Sequence, residues 1–312
     1  MTTSRERTLN EATEGPRVPW PGIAAPFTAV PPGLQAMALS ALFFSAMAAL
    51  AKLAGGEVPL FEIVLARSLV VAVLSGGAVV RAGTGFVGRE PRILILRGVL
   101  GFSALSCFYF AVVRLPLADA TVIHFTNPVF TAVAAALILR EHMGLWEGVL
   151  VLSSLGGVIM VARPAFLFGE ANMLDPLAVG VGLTGAVLAA GAYVAVRRLR
   201  GESANLVIFY FAAVSTLLAL PGVLLNPVLP SPAMWLVLAG VGLATHLGQV
   251  FVTHGFRLER AGRASAIGYL QIVFAAGWGW LLFREAPDLW MWAGAGVIVA
   301  STLALVRLHP VR

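Results

Sequence analysis

The sequence predicts an all-α integral membrane protein of ten transmembrane helices, built as two inverted five-helix repeats. Three observations carry this expectation. Hydrophobic residues make up 59% of the 312 and charged residues only 12%, whereas soluble domains are roughly a quarter charged. The charges fall in short clusters separated by nearly uncharged runs of about 20 residues, each long enough as a helix to cross about 30 Å of hydrocarbon. The second half also repeats the first at an offset of 144 residues: Arg140, Glu141 and Trp146 return as Arg284, Glu285 and Trp290.

Residues 1–32 stand apart from the spans. They carry Arg5, Glu6, Arg7, Glu11, Glu14 and Arg17, then a run of prolines that begins at Pro16 and ends at Pro32, and no apolar core of the signal-peptide kind. We expect a disordered cytoplasmic tail, with 20–30 as a candidate for lying in the membrane interface. The first two spans, 34–53 and 60–80, are separated by Gly55-Gly-Glu-Val-Pro59, and the charged stretch 81–92 precedes the third, 93–113. The tight link Leu115-Pro116 leads into 117–139, and 145–162 follows. Arg163-Pro164 to Asp175-Pro176 then divides the chain near its middle. The remaining spans are 177–197, 205–225, 233–253, 264–283 and 289–307. The expected units are therefore a first repeat over 33–163, a connection over 164–176, a second repeat over 177–307 and a short tail at 308–312. Short links make consecutive helices antiparallel neighbours.

Orientation follows from lysine and arginine in short loops. With the N-terminus inside, sixteen of the 21 fall on the inner side, while Lys52, Arg67, Arg114, Arg163 and Arg284 fall on the outer. That reading places both termini in the cytoplasm and assigns Arg97 to the inner boundary. It also accounts for the net charge of +6 without an acidic partner, and no aromatic-basic surface of the nucleic-acid-binding kind is present. One cysteine, Cys107, excludes an internal disulfide and a thiolate metal site.

Within the repeat, Ala120, Ile123, Val129, Phe130, Ala132 and Leu137 return as Ala264, Ile267, Val273, Phe274, Ala276 and Leu281. Phe125 and Asn127 are matched in kind by Tyr269 and Gln271. Five helices per copy is an odd number, so the second copy enters the membrane upside down. Two halves so related can exchange conformations and turn a cavity open on one face into one open on the other.

These residues carry a family resemblance. Arg114-Leu-Pro-Leu-Ala-Asp-Ala-Thr-Val-Ile-His124, then Asn127-Pro-Val-Phe130 and Leu139-Arg-Glu141, resemble the EamA-type repeat of the drug/metabolite transporter superfamily. Gly157-Val-Ile-Met-Val-Ala-Arg-Pro164 with Phe166-Leu-Phe-Gly169 is similar to the solute carrier family 35, subgroup G. Arg257-Leu-Glu-Arg-Ala-Gly262 to Phe283-Arg-Glu285, and Glu62 with Arg67, fit as well. The resemblance covers about residues 34–307. It implies ten helices in two five-helix repeats, a central substrate cavity and secondary transport. The second copy has Gln271-Ile272 where the first has Asn127-Pro128, which leaves its helix without the proline that would break it.

Polar side chains inside hydrocarbon are costly and usually face the bundle interior. Glu62 and Arg67 lie five positions apart on the second helix, off register for an internal pair. Their functional reading is an anion-binding or gating cation with a proton-coupled counter-ion; the plain reading is snorkelling and a structural ion pair. His124 and Asn127 precede Pro128, which removes a donor and loosens the carbonyl near residue 124. They could line a cavity or fix interhelical packing. Tyr109, Tyr193, His246, Gln249, His254, Tyr269 and Gln271 lie on the third, sixth, eighth and ninth helices or at their ends, which surround the substrate in the resembling family. Trp235, Trp290 and Trp292 read as interface anchors, Trp278 and Trp280 as cavity lining or lipid-facing bulk. The paired glycines read as close helix packing. Arg140-Glu141 and Arg284-Glu285 read as helix-end markers that pair locally.

No Walker-type phosphate loop, no His-Glu-x-x-His and no Gly-x-Ser-x-Gly occurs. No cofactor, metal or nucleic-acid partner is expected, and the protein is not expected to be an enzyme. The leading reading is a secondary transporter in the inner (plasma) membrane, working by alternating access on a small organic metabolite. Arg67 and His124 favour a solute bearing a carboxylate, and coupling would come from protons or solute exchange. The alternatives are a membrane enzyme acting on a lipid-linked substrate and a non-transporting membrane partner.

Overall fold

The computed structural model describes residues 30–308 except 116, 142, 165–166, 168–173, 226 and 285–287. The tail over 1–29, most of the connection over 164–176, Glu285 and the last four residues lie outside the described residues. Ten helices are long and apolar enough to cross a membrane, and no strand occurs among the described residues. They are α1 (Pro32–Ala54), α2 (Leu60–Arg81), α3 (Pro91–Arg114), α4, α5 (Leu145–Ala162), α6 (Pro176–Arg198), α7 (Ala204–Leu225), α8 (Pro232–Leu258), α9 and α10 (Leu289–Arg307). The fourth span consists of Leu117–His124, Asn127–Ala134 and a π-helical turn over Ala135–Leu139. The ninth consists of Ala261–Ile267 and Leu270–Phe283.

Local chemistry sets these starts. Proline occupies the first turn of α1, α3, α6 and α8, where its missing N–H has no intrahelical partner to lose. Asp175, Ser231 and Asp288 cap α6, α8 and α10 by accepting from Leu177 N, Met234 N and Met291 N. The stops are less usual. Arg140 and Arg284 sit at equivalent repeat positions and both end their helices in the left-handed region, at φ 56° and 57°. A side chain there costs about 1 kcal/mol, and the cost recurs at the same place in both copies.

One expectation about helix breaks needs revision. The fourth span is interrupted just before Pro128, as its proline implied, but α9 is broken at the matching place although it lacks a proline. Both interruptions tighten the chain into three-residue turns. In α4, Thr126 N donates to Ile123 O (3.2 Å) and Val129 N to Thr126 O (3.0 Å); in α9, Tyr269 N donates to Ala266 O (3.2 Å) and Ile272 N to Tyr269 O (3.0 Å). In the first copy Pro128 cannot donate to His124 O, and the Asn127 side-chain amide takes that carbonyl at 2.9 Å. In the second, Gln271 N donates to the equivalent carbonyl of Gly268 at 3.0 Å. The same carbonyl is satisfied from three residues further on in both copies, once by a side chain and once by the backbone.

The principal helix contacts map onto themselves when each helix of the first five is exchanged with the one five places later. α1 packs on α8 as α6 packs on α3; α2–α8 mirrors α7–α3, and α1–α9 mirrors α6–α4. The pairs α2–α7, α4–α9 and α5–α10 map to themselves. This is the pattern of a pseudo-twofold axis lying in the membrane plane. Two glycines close α5 on α10: a Cβ on Gly157 would lie 2.8 Å from Gly294 O, and one on Gly294 would lie 2.6 Å from Gly157 O. Glycine is required there by close approach.

Candidate functional site

Four contacts break the symmetry, and they define where the molecule is open. α7 packs on α8, α6 on α8, and the start of α9 on α5 and on α6; the mirror pairs α2–α3, α1–α3, α4–α10 and α1–α4 have no comparable packing among the described residues. The opening lies on the face opposite Pro32 and Arg307, termed here the far face; the face holding those two residues is the terminal face. Between the far-face ends of α2 and α3 lies a cavity of about 360 Å³, lined by Leu60, Phe61 and Val64 on one side and Phe102, Leu105, Ser106 and Tyr109 on the other. The buried apolar side chains agree with this. One large cluster, centred in the terminal half, spans most helices and reaches the far half at Val122 and Val158. Two small clusters lie in the far half alone, one around Ile63, Leu238 and Val241 and the other around Ala111, Ala120 and Ile123.

The terminal face is closed by charge. Arg263, near the start of α9, donates to Glu147 on α5 at 2.6 Å and to Glu259 at 3.3 Å. Arg197, at the end of α6, donates to Glu141 at 2.8 Å and to the carbonyls of Phe256 and Arg257 at 3.3 and 2.8 Å. Glu141 also accepts from Ala261 N at 2.9 Å. The expectation that Glu141 would pair locally is therefore corrected: it ties the α4–α5 link to α6 and to the first residue of α9. On the far face the ion pairs Arg114–Asp175 and Arg163–Asp288 are exposed, where such pairs contribute little.

The candidate residues fall into distinct settings. Arg67 is one turn below Val64 on the same stripe of α2, 7% exposed, and its Nη1 donates to Met47 Sδ at 3.6 Å. Its Nε is buried without a hydrogen-bond partner. Glu62 does not face Arg67; it accepts from Val228 N and so holds the α7–α8 link. His124 packs on Phe108 and Phe125, with ring centroids 4.5 and 5.5 Å away. Across the axis Phe125 meets Tyr269 at 6.2 Å, so the two helix breaks face each other. The Tyr269 hydroxyl is fully buried and unpartnered, and Gln271 lies half-buried just beyond it. Tyr193 stacks on Phe256 at 4.7 Å, and His254 shares a 2.8 Å hydrogen bond with Val250 O. His246 is half-buried on α8, with Nδ1 unpartnered.

Trp278 donates to Ser45 Oγ at 3.1 Å and joins α9 to α1, whereas Trp280 is exposed toward lipid. Among the described residues no group of three His, Cys, Asp or Glu side chains could hold a metal ion.

One residue belongs here that the loop-charge reading placed elsewhere. Arg97 is not at a boundary: it is the seventh residue of α3, about 9 Å inside, and 3% exposed. Its Nη2 donates to Gln249 Oε1 at 3.0 Å, and its guanidinium lies 4.0 Å over the Phe211 ring. Pro91 at the first turn of α3 was the available signal, since it marks where the helix starts and hence how deep Arg97 lies.

Comparison with known proteins agrees with this architecture. The EamA-like transporter family matches the chain twice, over residues 31–163 and 176–307. The pseudopaline exporter CntI of Pseudomonas aeruginosa is 36% identical over 277 residues, covering 88% of this chain and 96% of that protein. Solute carrier family 35 member G1 of Mus musculus is 33% identical over 86% of this chain and 77% of its own length. A solved crystal structure at 19% identity superposes with a TM-score of 0.76 over 89% of this chain and 97% of that one, a likeness of fold alone.

Proposed function

The chain belongs to the EamA-like transporter family of membrane transporters, and from that premise we propose that it is a secondary transporter carrying a small organic metabolite across the plasma membrane by alternating access. The observation that supports this most is the self-mapping set of helix contacts with its four exceptions. A bundle whose interfaces are interchangeable by symmetry has two arrangements of similar energy, one open on each face. The splayed α2–α3 pair and the closed α7–α8 pair are one such arrangement; exchanging them gives the other. Both termini would lie in the cytoplasm, which makes the present state outward-open. No phosphate-binding loop supplies energy in the sequence, so a proton gradient or solute exchange would drive the cycle.

The floor of the cavity favours a carboxylate-bearing solute. Arg67 lies directly below Val64, with donors that no acid in the described structure takes. His124 and Tyr269 sit where the two broken helices meet. The exporter name of the bacterial relative favours outward movement. Counterflow in proteoliposomes loaded with a metabolite panel tests the proposal. Exchange of a carboxylate-bearing solute, reduced in Arg67→Ala and His124→Ala, is expected. Binding without flux would instead make the protein a non-transporting partner, and unchanged exchange in both variants would remove these residues from the mechanism.

A further inference from the structure

Two buried guanidiniums lie below the cavity, one under each of its walls, without an acidic partner among the described residues. Arg67 continues the Leu60–Val64 stripe of the cavity along α2. Arg97 continues the opposite wall along α3, since Leu105 lines the cavity and Gly101 and Arg97 follow at four-residue steps below it. Arg67 lies about 10 Å from the far end of its helix and Arg97 about 9 Å from the terminal end of its own. One cation thus stands in each half of the membrane.

Arg97 occupies a built seat. A Cβ on Gly101 would lie 2.8 Å from Arg97 Nη1 and 2.8 Å from the Phe211 ring, so the glycine is what leaves room for the stacked guanidinium. Gln249 from α8 takes one donor, while Nε and Nη1 are buried and unpartnered. Phe211 holds on α7 the position that Arg67 holds on α2, because the two helices start at Ala204 and Leu60. The guanidinium is therefore clamped by a ring and an amide, neither of which neutralises it. A buried, hydrogen-bonded cation in hydrocarbon without a counter-charge is costly, and an anionic group of the solute would remove that cost.

Resting on the transporter reading above, we propose that the solute carries at least two acidic groups, one received by Arg67 in the far half and one by Arg97 in the terminal half as the passage changes faces. Arg97 contacts solute when α8 moves away from α7, the change that mirrors the present separation of α2 from α3 and that parts Gln249 from Phe211. Gln249 then releases the guanidinium to the incoming anion.

The test uses the full chain in proteoliposomes, with counterflow of succinate and tricarballylate set against butyrate and butyramide as chain-matched controls. The wild-type protein is expected to exchange the two polyacids and to be stabilised by them against heat in detergent. Arg97→Gln is expected to lower apparent affinity for the polyacids roughly 10- to 100-fold, the scale of one charge-assisted hydrogen bond, while changing that for butyrate less than about threefold. Arg97→Lys should restore part of the loss. Gly101→Ala, which retains the charge and crowds the seat, should weaken the polyacids in the same sense. Exchange that prefers butyrate or butyramide, or equal losses for every solute in Arg97→Gln and in Arg97→Lys, would make Arg97 a packing residue and overturn the proposal with transport intact. Absence of any flux with any solute would instead count against the transporter reading itself.

Discussion

Asn127 shows how one side chain keeps a membrane helix broken without leaving a bare carbonyl. Its amide reaches His124 O at 2.9 Å, the group that Pro128 cannot satisfy. Asn127→Leu strands that acceptor in an apolar setting, and we expect a loss of about 1–3 kcal/mol, read as a lower melting midpoint in detergent, with solute charge preference unchanged. The sequence made the proline and its loosened carbonyl visible, and the Asn127 side chain proves to be the group that answers them. It made Arg97 misleading for a physical reason. Arg97 follows Arg89 and Arg92 closely, and counting charges along a chain does not measure depth. Only the helix start at Pro91 separates a boundary arginine from a buried one. Glu62 shows the converse: its place on the second helix was legible, but its partner, the backbone N–H of Val228 on a distant link, could not be read from spacing.

At the scale of helices, length and apolarity fixed all ten spans, because lipid demands about 20 apolar residues whatever the tertiary fold. The break in α9 was not legible, since a Gly-Tyr pair breaks a helix only when the surrounding helices select the tighter turn. The α5–α10 seam depends on two glycines whose missing Cβ atoms let backbone oxygens approach. Gly294→Val would place a side chain where Gly157 O lies 2.6 Å from an ideal Cβ, and overpacking of this kind typically costs about 1–3 kcal/mol. The expected result is a reduced yield of monodisperse protein on size exclusion, partly recovered by Gly294→Ala. The latch between α5 and α9 acts differently. Arg263→Gln removes one side of the 2.6 Å pair with Glu147, a loss on the order of 3 kcal/mol, and should shift the population toward a terminal-open state. A cysteine at Ala132 of α4, which faces Gly262 beside that latch, in a Cys107→Ser background should then react with a membrane-permeant maleimide several-fold faster than in the parent. Equal reaction rates would mean the latch does not hold the passage closed.

For the molecule as a whole, inverted symmetry was legible from the repeat, because both copies retain the same helix ends and the same arginine stops. Which face is open was not, since that depends on four contacts between helices rather than on any residue pattern. Exchange of the open and closed pairs is the central claim, and paired spin labels measure it most directly. Leu145 with Leu258 on the terminal face, and Val113 with Leu289 on the far face, are exposed positions that flank equivalent seams. In pulsed electron–electron dipolar spectra of the full chain in liposomes, with and without a transported solute, the two distance distributions should move in opposite directions. Distances that stay fixed, or that lengthen together, would contradict an exchange of faces.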